Sequence, residues 1–158
     1  GKLIRGGADP MTDEDPVTDN VTDEVSDEDI YIENSDIVTS SLYILTMKGP
    51  WVNVPEEEKE YETIHGKGRA VLIFRPKLWV EQNCENKKRT AINFIGHNIL
   101  SESRVDYGNG SVSSHSGGYK LRYNSTKRRT ELTVAMNNEP ERAFDVVSLT
   151  DECLILSN

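Results

Sequence analysis

The chain is poor in cysteine and histidine, and this scarcity limits the chemistry that its side chains can perform. Among its 158 residues there are two cysteines and three histidines. Cys84 and Cys153 are too few for a disulfide scaffold, and they lack the C-x-x-C spacing of zinc and redox sites. None of the histidines is followed, two to four residues later, by a second metal ligand. We therefore expect neither a metal site nor a cofactor.

Long apolar runs are also missing from the sequence. No stretch approaches the ~18 consecutive apolar residues of a transmembrane helix. The first residue is Gly1 rather than Met, and we expect that a leader or a tag has been removed ahead of it. Attachment to a membrane would then need an anchor upstream of this sequence.

Basic residues are absent from the N-terminal quarter. Residues 6–47 contain twelve Asp and Glu and no Lys or Arg, whereas residues 48–158 contain fifteen acids and sixteen bases. The net charge of −9 therefore comes from the N-terminal quarter, and the remainder is nearly neutral. Because binding to nucleic acid needs a concentrated basic face, we expect no nucleic acid partner.

The acidic quarter contains a short repeat, VTDN, VTDE and VSDE, over residues 17–28. Valines and like charges at four-residue spacing disfavour a helix. The EF-hand calcium pattern counted from Asp13 fails, because Thr18 stands where the pattern requires Gly. We predict that residues 1–36 form a flexible acidic tether and that residues 37–158 form the folded domain. The apolar residues of the segment 30–47 fit either a strand or a short helix.

From Trp51 onward the pattern is typical of β-strands. Apolar residues alternate with polar ones, as at Tyr119, Leu121 and Tyr123, and turn residues separate the stretches. We predict an all-β fold, an antiparallel up-and-down barrel of about eight strands, because closure of the sheet hides its edges. The predicted strands cover residues 51–54, 69–75, 77–83, 90–95, 98–106, 118–124, 129–136, 142–148 and 152–157.

Large aromatic residues on these strands are the expected filling of the barrel. If the interior has a cavity, some of them line it and contact the ligand. These candidate ligand-binding residues are Trp51, Phe74, Trp79, Phe94, Tyr119 and Phe144.

Cys84 and Cys153 could form a disulfide. The bridge would close a loop of about 70 residues and stabilise the fold by roughly 4 kcal/mol through the entropy of the unfolded chain. Two reduced cysteines are the alternative reading.

Reaction chemistry is not evident in any motif. Residues 113–118 (SSHSGG) lack the G-x-S-x-G elbow of serine hydrolases, and we predict a mobile loop there. The basic stretches 86–90 and 125–130 could gather an anionic ligand, bind the protein's own acidic segment, or simply be solvated charges that protect sheet edges. Three connections separate them, which predicts opposite ends of the barrel.

Part of the sequence resembles a known family. The segment KGPW at residues 48–51 resembles the Gly-x-Trp motif that opens the first strand of lipocalins. Residues 118–121 (GYKL), 130–134 (TELTV) and 144–156 (FDVVSLTDECLIL) are similar to the last three strands of the lipocalin-like domains of secreted Bacteroidetes lipoproteins. The sequence departs from this pattern at Pro50 and in the charged stretch 56–60.

The resemblance implies a lipocalin-like β-barrel that is exported through a lipobox leader and held by a lipidated Cys upstream of Gly1. The acidic segment would then be a spacer from the membrane. The implied location is outside the cytoplasm, in the cell envelope or secreted, and the family has no common catalytic activity to carry over.

We therefore expect an exported binding module, without catalysis, whose ligand is a small apolar molecule or a protein partner. The alternative is a structural or protein-interaction accessory domain at the cell surface with a packed barrel. A third hypothesis is an intracellular β domain whose acidic tail binds basic proteins, but the strand-rich ending lacks the C-terminal helix of a PH-like fold.

Overall fold

The part of the chain that the structure, a computed structural model, describes comprises residues 28–32, 35–68, 70–106 and 112–158. The predicted tether up to residue 27 lies outside these residues. Three helices are described: α1 (Asp36–Lys48), α2 (Pro55–His65) and α3 (Lys77–Asn83). The strands are β1 (Tyr31–Ile32), β2 (Trp51–Asn53), β3 (Val71–Pro76), β4 (Lys88–Ile95), β5 (Ile99–Asp106), β6 (Val112–Asn124), β7 (Arg129–Met136), β8 (Arg142–Leu149) and β9 (Leu154–Ser157).

Eight strands close into an antiparallel barrel, which confirms the predicted fold class. From β4 to β9 each strand pairs with the next one in the chain. The ring is completed by β9 pairing with β3, β3 with β2, and β2 with β4. The chain therefore follows the ring in order except at β2, which lies between β3 and β4. Strand β1 is additional and pairs with the end of β6.

The segment 30–47, which fitted either a strand or a helix, contains both. Tyr31 and Ile32 form β1, and α1 begins at Asp36. Ser35 is the N-cap of α1, and its hydroxyl oxygen accepts a hydrogen bond from the backbone N of Val38 at 3.2 Å. Asp36 lies in the first turn, where a negative charge is favourable at the positive end of the helix dipole.

Residues 77–83 form helix α3, so the strand predicted there is wrong. In a strand, Leu78 and Val80 would point to the same face. The structure instead exposes Leu78 and buries Val80. Helix α3 carries the chain from β3 to β4 across the outside of β2, which is why the ring departs from chain order at this place.

Side chains from all eight barrel strands and from α1 meet in one inner cluster. Trp51 is fully buried, and its indole Nε1 donates a hydrogen bond to the backbone oxygen of Leu45 at 3.0 Å, which ties α1 to β2. Val38 and Leu45 are the buried residues of α1, and both belong to this cluster. Its buried members are Val38, Leu45, Trp51, Phe74, Ile92, Phe94, Leu100, Tyr119, Leu121, Leu132, Met136, Phe144, Leu154 and Leu156.

A second, smaller cluster lies on the outside of the barrel wall. Its strand residues Val52 and Ala91 directly adjoin Trp51 and Ile92 of the inner cluster. Because successive side chains of a strand point to opposite faces, Val52 and Ala91 face outward. Helix α3 covers them with Val80, so the wall is packed on both faces around β2.

The acidic first turn of α2 is bonded to the strands on both sides of β2. Glu56 accepts hydrogen bonds from both terminal nitrogens of Arg89 on β4, at 3.0 and 2.8 Å. The side chain of Arg89 has no exposed area, whereas that of Glu56 is 43% exposed. Lys87 adds a second ion pair to Glu56 at 3.2 Å. The bidentate geometry gives the buried guanidinium its counter-charge.

The next two carboxylates of α2 bind the opposite side. Glu57 forms a bidentate pair with Arg75 on β3, at 2.8 and 3.1 Å. Glu58 accepts hydrogen bonds from the side-chain amide of Asn53 at 2.6 Å and from the backbone N of Ile73 at 3.0 Å. The charged stretch that departs from the lipocalin pattern is therefore a helix whose glutamates form hydrogen bonds to β2, β3 and β4.

Strands β6 and β7 approach very closely at Gly117. A Cβ atom added at Gly117 would lie 2.6 Å from the Cα of Met136 and still closer to the backbone oxygen of Ala135. Real Cβ atoms are essentially never found at such distances from backbone, so the crossing of the two strands requires glycine.

We predict that Gly117→Ala destabilises the fold by about 2 kcal/mol or more. The added methyl group forces the two strands apart, and this disturbs the packing of the inner cluster. Chemical unfolding monitored by circular dichroism measures this change. The matched control is Gly68→Ala, because a Cβ there meets nothing within 4 Å. Equal stability of the two variants would contradict the close approach.

A second prediction concerns the ion pair between Glu56 and Arg89. The hydrogen bonds from Arg89 lower the pKa of Glu56 from 4.5 to about 2. A lowered carboxyl pKa contributes stability above the ordinary pKa, and this contribution is lost as the pH falls from about 4.5 towards about 2. We expect Glu56→Gln to destabilise the protein at neutral pH by about 1 kcal/mol, since the exposed carboxylate is screened by solvent.

The measurement is the free energy of unfolding of the wild type and of Glu56→Gln from pH 7 to pH 2. The difference between them should shrink below about pH 4.5. Glu60→Gln, an exposed position on the same helix, is the control and should show no such change. A difference that stays constant down to pH 2 would show that the ion pair does not contribute.

Candidate functional site

Five of the six aromatic residues predicted to face the interior do so. Trp51, Phe74, Phe94, Tyr119 and Phe144 are all buried members of the inner cluster. The rings of Phe94 and Tyr119 meet edge to face at 4.9 Å, and the Tyr119 hydroxyl donates to the backbone oxygen of Gly96. All five rings belong to the same buried cluster inside the barrel as Val38 and Leu45 of α1.

Trp79 is placed otherwise than predicted. It lies on α3 and packs in the outer cluster, where the guanidinium of Arg75 stacks over its ring at 4.3 Å. The prediction of an inward-facing Trp79 depended on a strand at residues 77–83. Because that segment is a helix on the outside of the wall, Trp79 has no access to the interior.

Cavities described by the structure lie on the outer wall or at the rim. A groove of about 420 Å³ crosses β6, β7 and β8 over Lys120, Thr133 and Ala143, which alternate with residues of the inner cluster. A groove of about 480 Å³ lies beside the turn between β6 and β7. Two more, of about 330 and 210 Å³, lie on β4, β5 and β6. These four grooves are therefore external surfaces that a partner could contact.

The two basic stretches are largely neutralised by the fold. In the first, Arg89 and Lys87 pair with Glu56. In the second, Arg129 pairs with Asp145 at 2.6 Å. The stretches lie at opposite barrel ends, as predicted, because three antiparallel strands, β4, β5 and β6, run between them. Neither forms a concentrated patch of unpaired cations on the described surface.

His115 lies on β6 opposite Glu102 on β5, and its Nε2 is 2.8 Å from the carboxylate. A histidine beside a carboxylate can act as a general base when a nucleophile lies within hydrogen-bond reach of its other nitrogen. No hydroxyl or thiol is in contact with His115 among the hydrogen bonds that the structure describes. The pair therefore serves as a cross-strand contact near the surface.

The segment predicted to be a mobile loop, residues 113–118, belongs to β6. Residues 112–116 pair with β5 but extend past the end of β7, whose pairing with β6 begins at Gly117. All five residues are exposed. Their sequence, VSSHS, contains one valine, three serines and one histidine, which is a weak strand signal beside the neighbouring glycines. This open strand edge is a candidate binding feature that the sequence analysis did not predict.

Two grooves adjoin this edge. The groove of about 330 Å³ and the groove of about 210 Å³ are both lined by Val105 and Val112. These two valines are cross-strand partners on β5 and β6. Lys88 and Arg104 line the larger groove together with Asp106. An apolar contact surface and the side chain of Arg104, which lies opposite Ser113, are therefore near the backbone edge of β6 that no described strand pairs with.

Both cysteines are free in the structure, so the disulfide considered between Cys84 and Cys153 is not formed. Cys84 packs partly buried in the outer cluster at the end of α3. Burial raises the pKa of both thiols. The guanidinium of Arg89 opposes this shift at Cys84, and that of Arg75 opposes it at Cys153, each only in part.

Among the described residues, no three His, Cys, Asp or Glu side chains come together in a group that could hold a metal ion. Within the same part of the chain, no helix combines the length and the apolar character that crossing a membrane requires.

Comparison of the chain with protein-family models, with curated proteins and with solved structures gave no match.

We predict that two thiols per chain react with a chromogenic disulfide reagent after denaturation without reductant. In the native protein at mildly alkaline pH both should react much more slowly, because burial disfavours the reactive thiolate. A count of zero thiols in the denatured protein would establish the disulfide. Cys153→Ser should leave one thiol and little change in stability.

Proposed function

We propose that this chain is a binding module that recognises another protein through the outside of its barrel. The observation that carries this proposal is the filling of the interior by the aromatic rings and α1. A small-molecule carrier needs a cavity of roughly 300 Å³ or more inside the wall. The described grooves of that size are external, which favours the packed-barrel alternative of the sequence analysis.

The outer surface of α1 supports a protein partner. Its inner side is buried by Val38 and Leu45, yet Ile37, Tyr43 and Met47 on the remaining surface are 49–63% exposed. A surface helix usually carries polar residues on its solvent side. Exposed apolar residues on one element are typical of interaction surfaces.

The compartment is part of the same proposal. We propose an exported domain, held at the cell envelope by an upstream lipid anchor, with the acidic N-terminal segment as a spacer. Support comes from the lipocalin-like motifs in residues 48–157 and from the closed barrel that carries them. Absence of catalysis is likewise proposed, supported by the isolation of His115 from any described nucleophile.

The prediction that tests the proposal uses Trp51 as a reporter of the interior. The chain has two tryptophans, so Trp79→Phe leaves Trp51, fully buried in the inner cluster, as the sole indole fluorophore. We expect titration with palmitate and with haem to leave its emission unchanged, because the ring is fully buried among the side chains of the inner cluster. Fluorescence spectroscopy at constant protein concentration makes this measurement.

The control is the reciprocal variant Trp51→Phe, in which Trp79 reports on the outer wall. Saturable quenching of Trp51 at micromolar ligand, without quenching of Trp79, would show a ligand in the interior and would overturn the proposal. Should Trp51→Phe unfold, wild-type protein titrated under the same conditions provides the second measurement.

A further inference from the structure

Strand β6 has one edge that is only partly paired. It is 13 residues long, whereas β7 is 8 residues long. Pairing between them begins at Gly117 and Met136, and the backbone N of Asn137 then donates to the oxygen of Ser116 at 3.2 Å. Beyond that bond, no strand in the described part of the chain pairs with this edge.

The backbone of Val112 and Ser114 faces the open edge. In a strand, the polar groups of alternate residues point to the same edge. Since the oxygen of Ser116 points towards β7, the N–H and C=O groups of Ser114 and Val112 point the same way. Residues 113 and 115 point to β5 and are held in its ladder.

This edge lacks the devices that usually protect edge strands. Natural sheets place Lys, Pro or a bulge on an exposed edge to prevent pairing with other chains. Residues 112–116 contain none of these, and their register with β5 is unbroken. His115 is the only titratable side chain, and it is engaged by Glu102.

The surroundings favour an extended peptide with a defined side-chain pattern. Val112 is 63% exposed and shares two grooves with its partner Val105. Arg104 is exposed on the same groove and lies opposite Ser113 of β6, whereas Lys88 lies one strand further away, on β4, opposite Asp106. An apolar side chain of the peptide would lie against Val112, and an acidic side chain at the next position would lie on the face of Ser113 and Arg104.

We propose that residues 112–115 of β6 bind an extended, acidic and apolar peptide segment of another protein by strand addition. The main-chain groups of Val112 and Ser114 supply the affinity, and the grooves supply the specificity. The proposal rests on the proposed function and specifies how the partner is recognised.

The test uses a short synthetic peptide that alternates Val and Thr around a central Glu. Amide hydrogen exchange followed by NMR should show the amides of Val112 and Ser114 exchanging rapidly in the free protein. The peptide should slow both at least about tenfold, as expected when one hydrogen bond per amide is gained. The amides of Ser113 and His115, already bonded to β5, should change little.

Variants of Ser114 separate strand addition from other contacts. Ser114→Pro removes the N–H on the open edge and leaves the ladder with β5 intact. It should weaken peptide binding about tenfold or more, whereas Ser114→Thr, the matched control, should bind as the wild type. Should Ser114→Pro unfold, Val112→Lys keeps the backbone and places a protective charge on the edge. Lys in place of Glu in the peptide should also weaken binding.

Absence of protection at Val112 and Ser114 with millimolar peptide would overturn the proposal, as would unchanged binding by the folded Ser114 or Val112 variant. Either result leaves the proposed function unaffected if palmitate and haem do not change the fluorescence emission of Trp51. A ligand signal from Trp51 overturns the proposed function itself, whatever the peptide does.

Discussion

A strand of three residues, β2, closes the barrel, and the surrounding contacts hold it in place. Strand β2 lies between β3 and β4 and pairs antiparallel with both, so β3 and β4 run in the same direction. So short a strand contributes few ladder hydrogen bonds. Side-chain packing therefore has to hold the strand in place. Trp51 is buried on its inner face and Val52 on its outer face. The carboxylates of α2 reach Arg75 on one neighbour and Arg89 on the other, and thereby fix the spacing of the three strands.

The same arrangement determines where binding can occur. Two residues separate helix α1 from β2, and the hydrogen bond from the indole of Trp51 to the backbone oxygen of Leu45 holds the helix against the inner cluster. Two buried α1 residues and the aromatic rings then occupy the interior. Because protein interiors are packed to the density of crystals, a ligand could enter only by displacing these side chains. Recognition through the outer wall requires no such rearrangement.

The alternating strands could be predicted because their two faces meet different environments. Tyr119, Leu121 and Tyr123 show the period of two that one buried face imposes. Helix α3 was missed because Leu78, Trp79 and Val80 are consecutive apolar residues, and a short apolar run does not distinguish a helix from a strand. The misplaced Trp79 follows from that single error.

The sequence of helix α2 contains features typical of a helix start, although only strands were predicted in this part of the chain. Pro55 stands at its first position and three glutamates fill its first turn, both of which mark helix starts. What no pattern in the sequence predicts is the partner of each glutamate, since Arg75 and Arg89 are 18 and 33 residues away from Glu57 and Glu56 along the chain. Such pairs depend on the closed ring, and the ring depends on contacts between distant segments.

The open edge of β6 follows from a mismatch in strand length. A ring of strands can pair every residue only where neighbouring strands are equally long, and β6 exceeds β7 by the residues before Gly117. Gly117 permits the close approach of the two strands at the point where their pairing begins. Beyond this point β6 is supported by β5 alone, and small hydroxyl side chains at Ser113, Ser114 and Ser116 allow water to cover it. An incoming strand would replace that water with the ladder that β7 is too short to provide, without any change in the barrel.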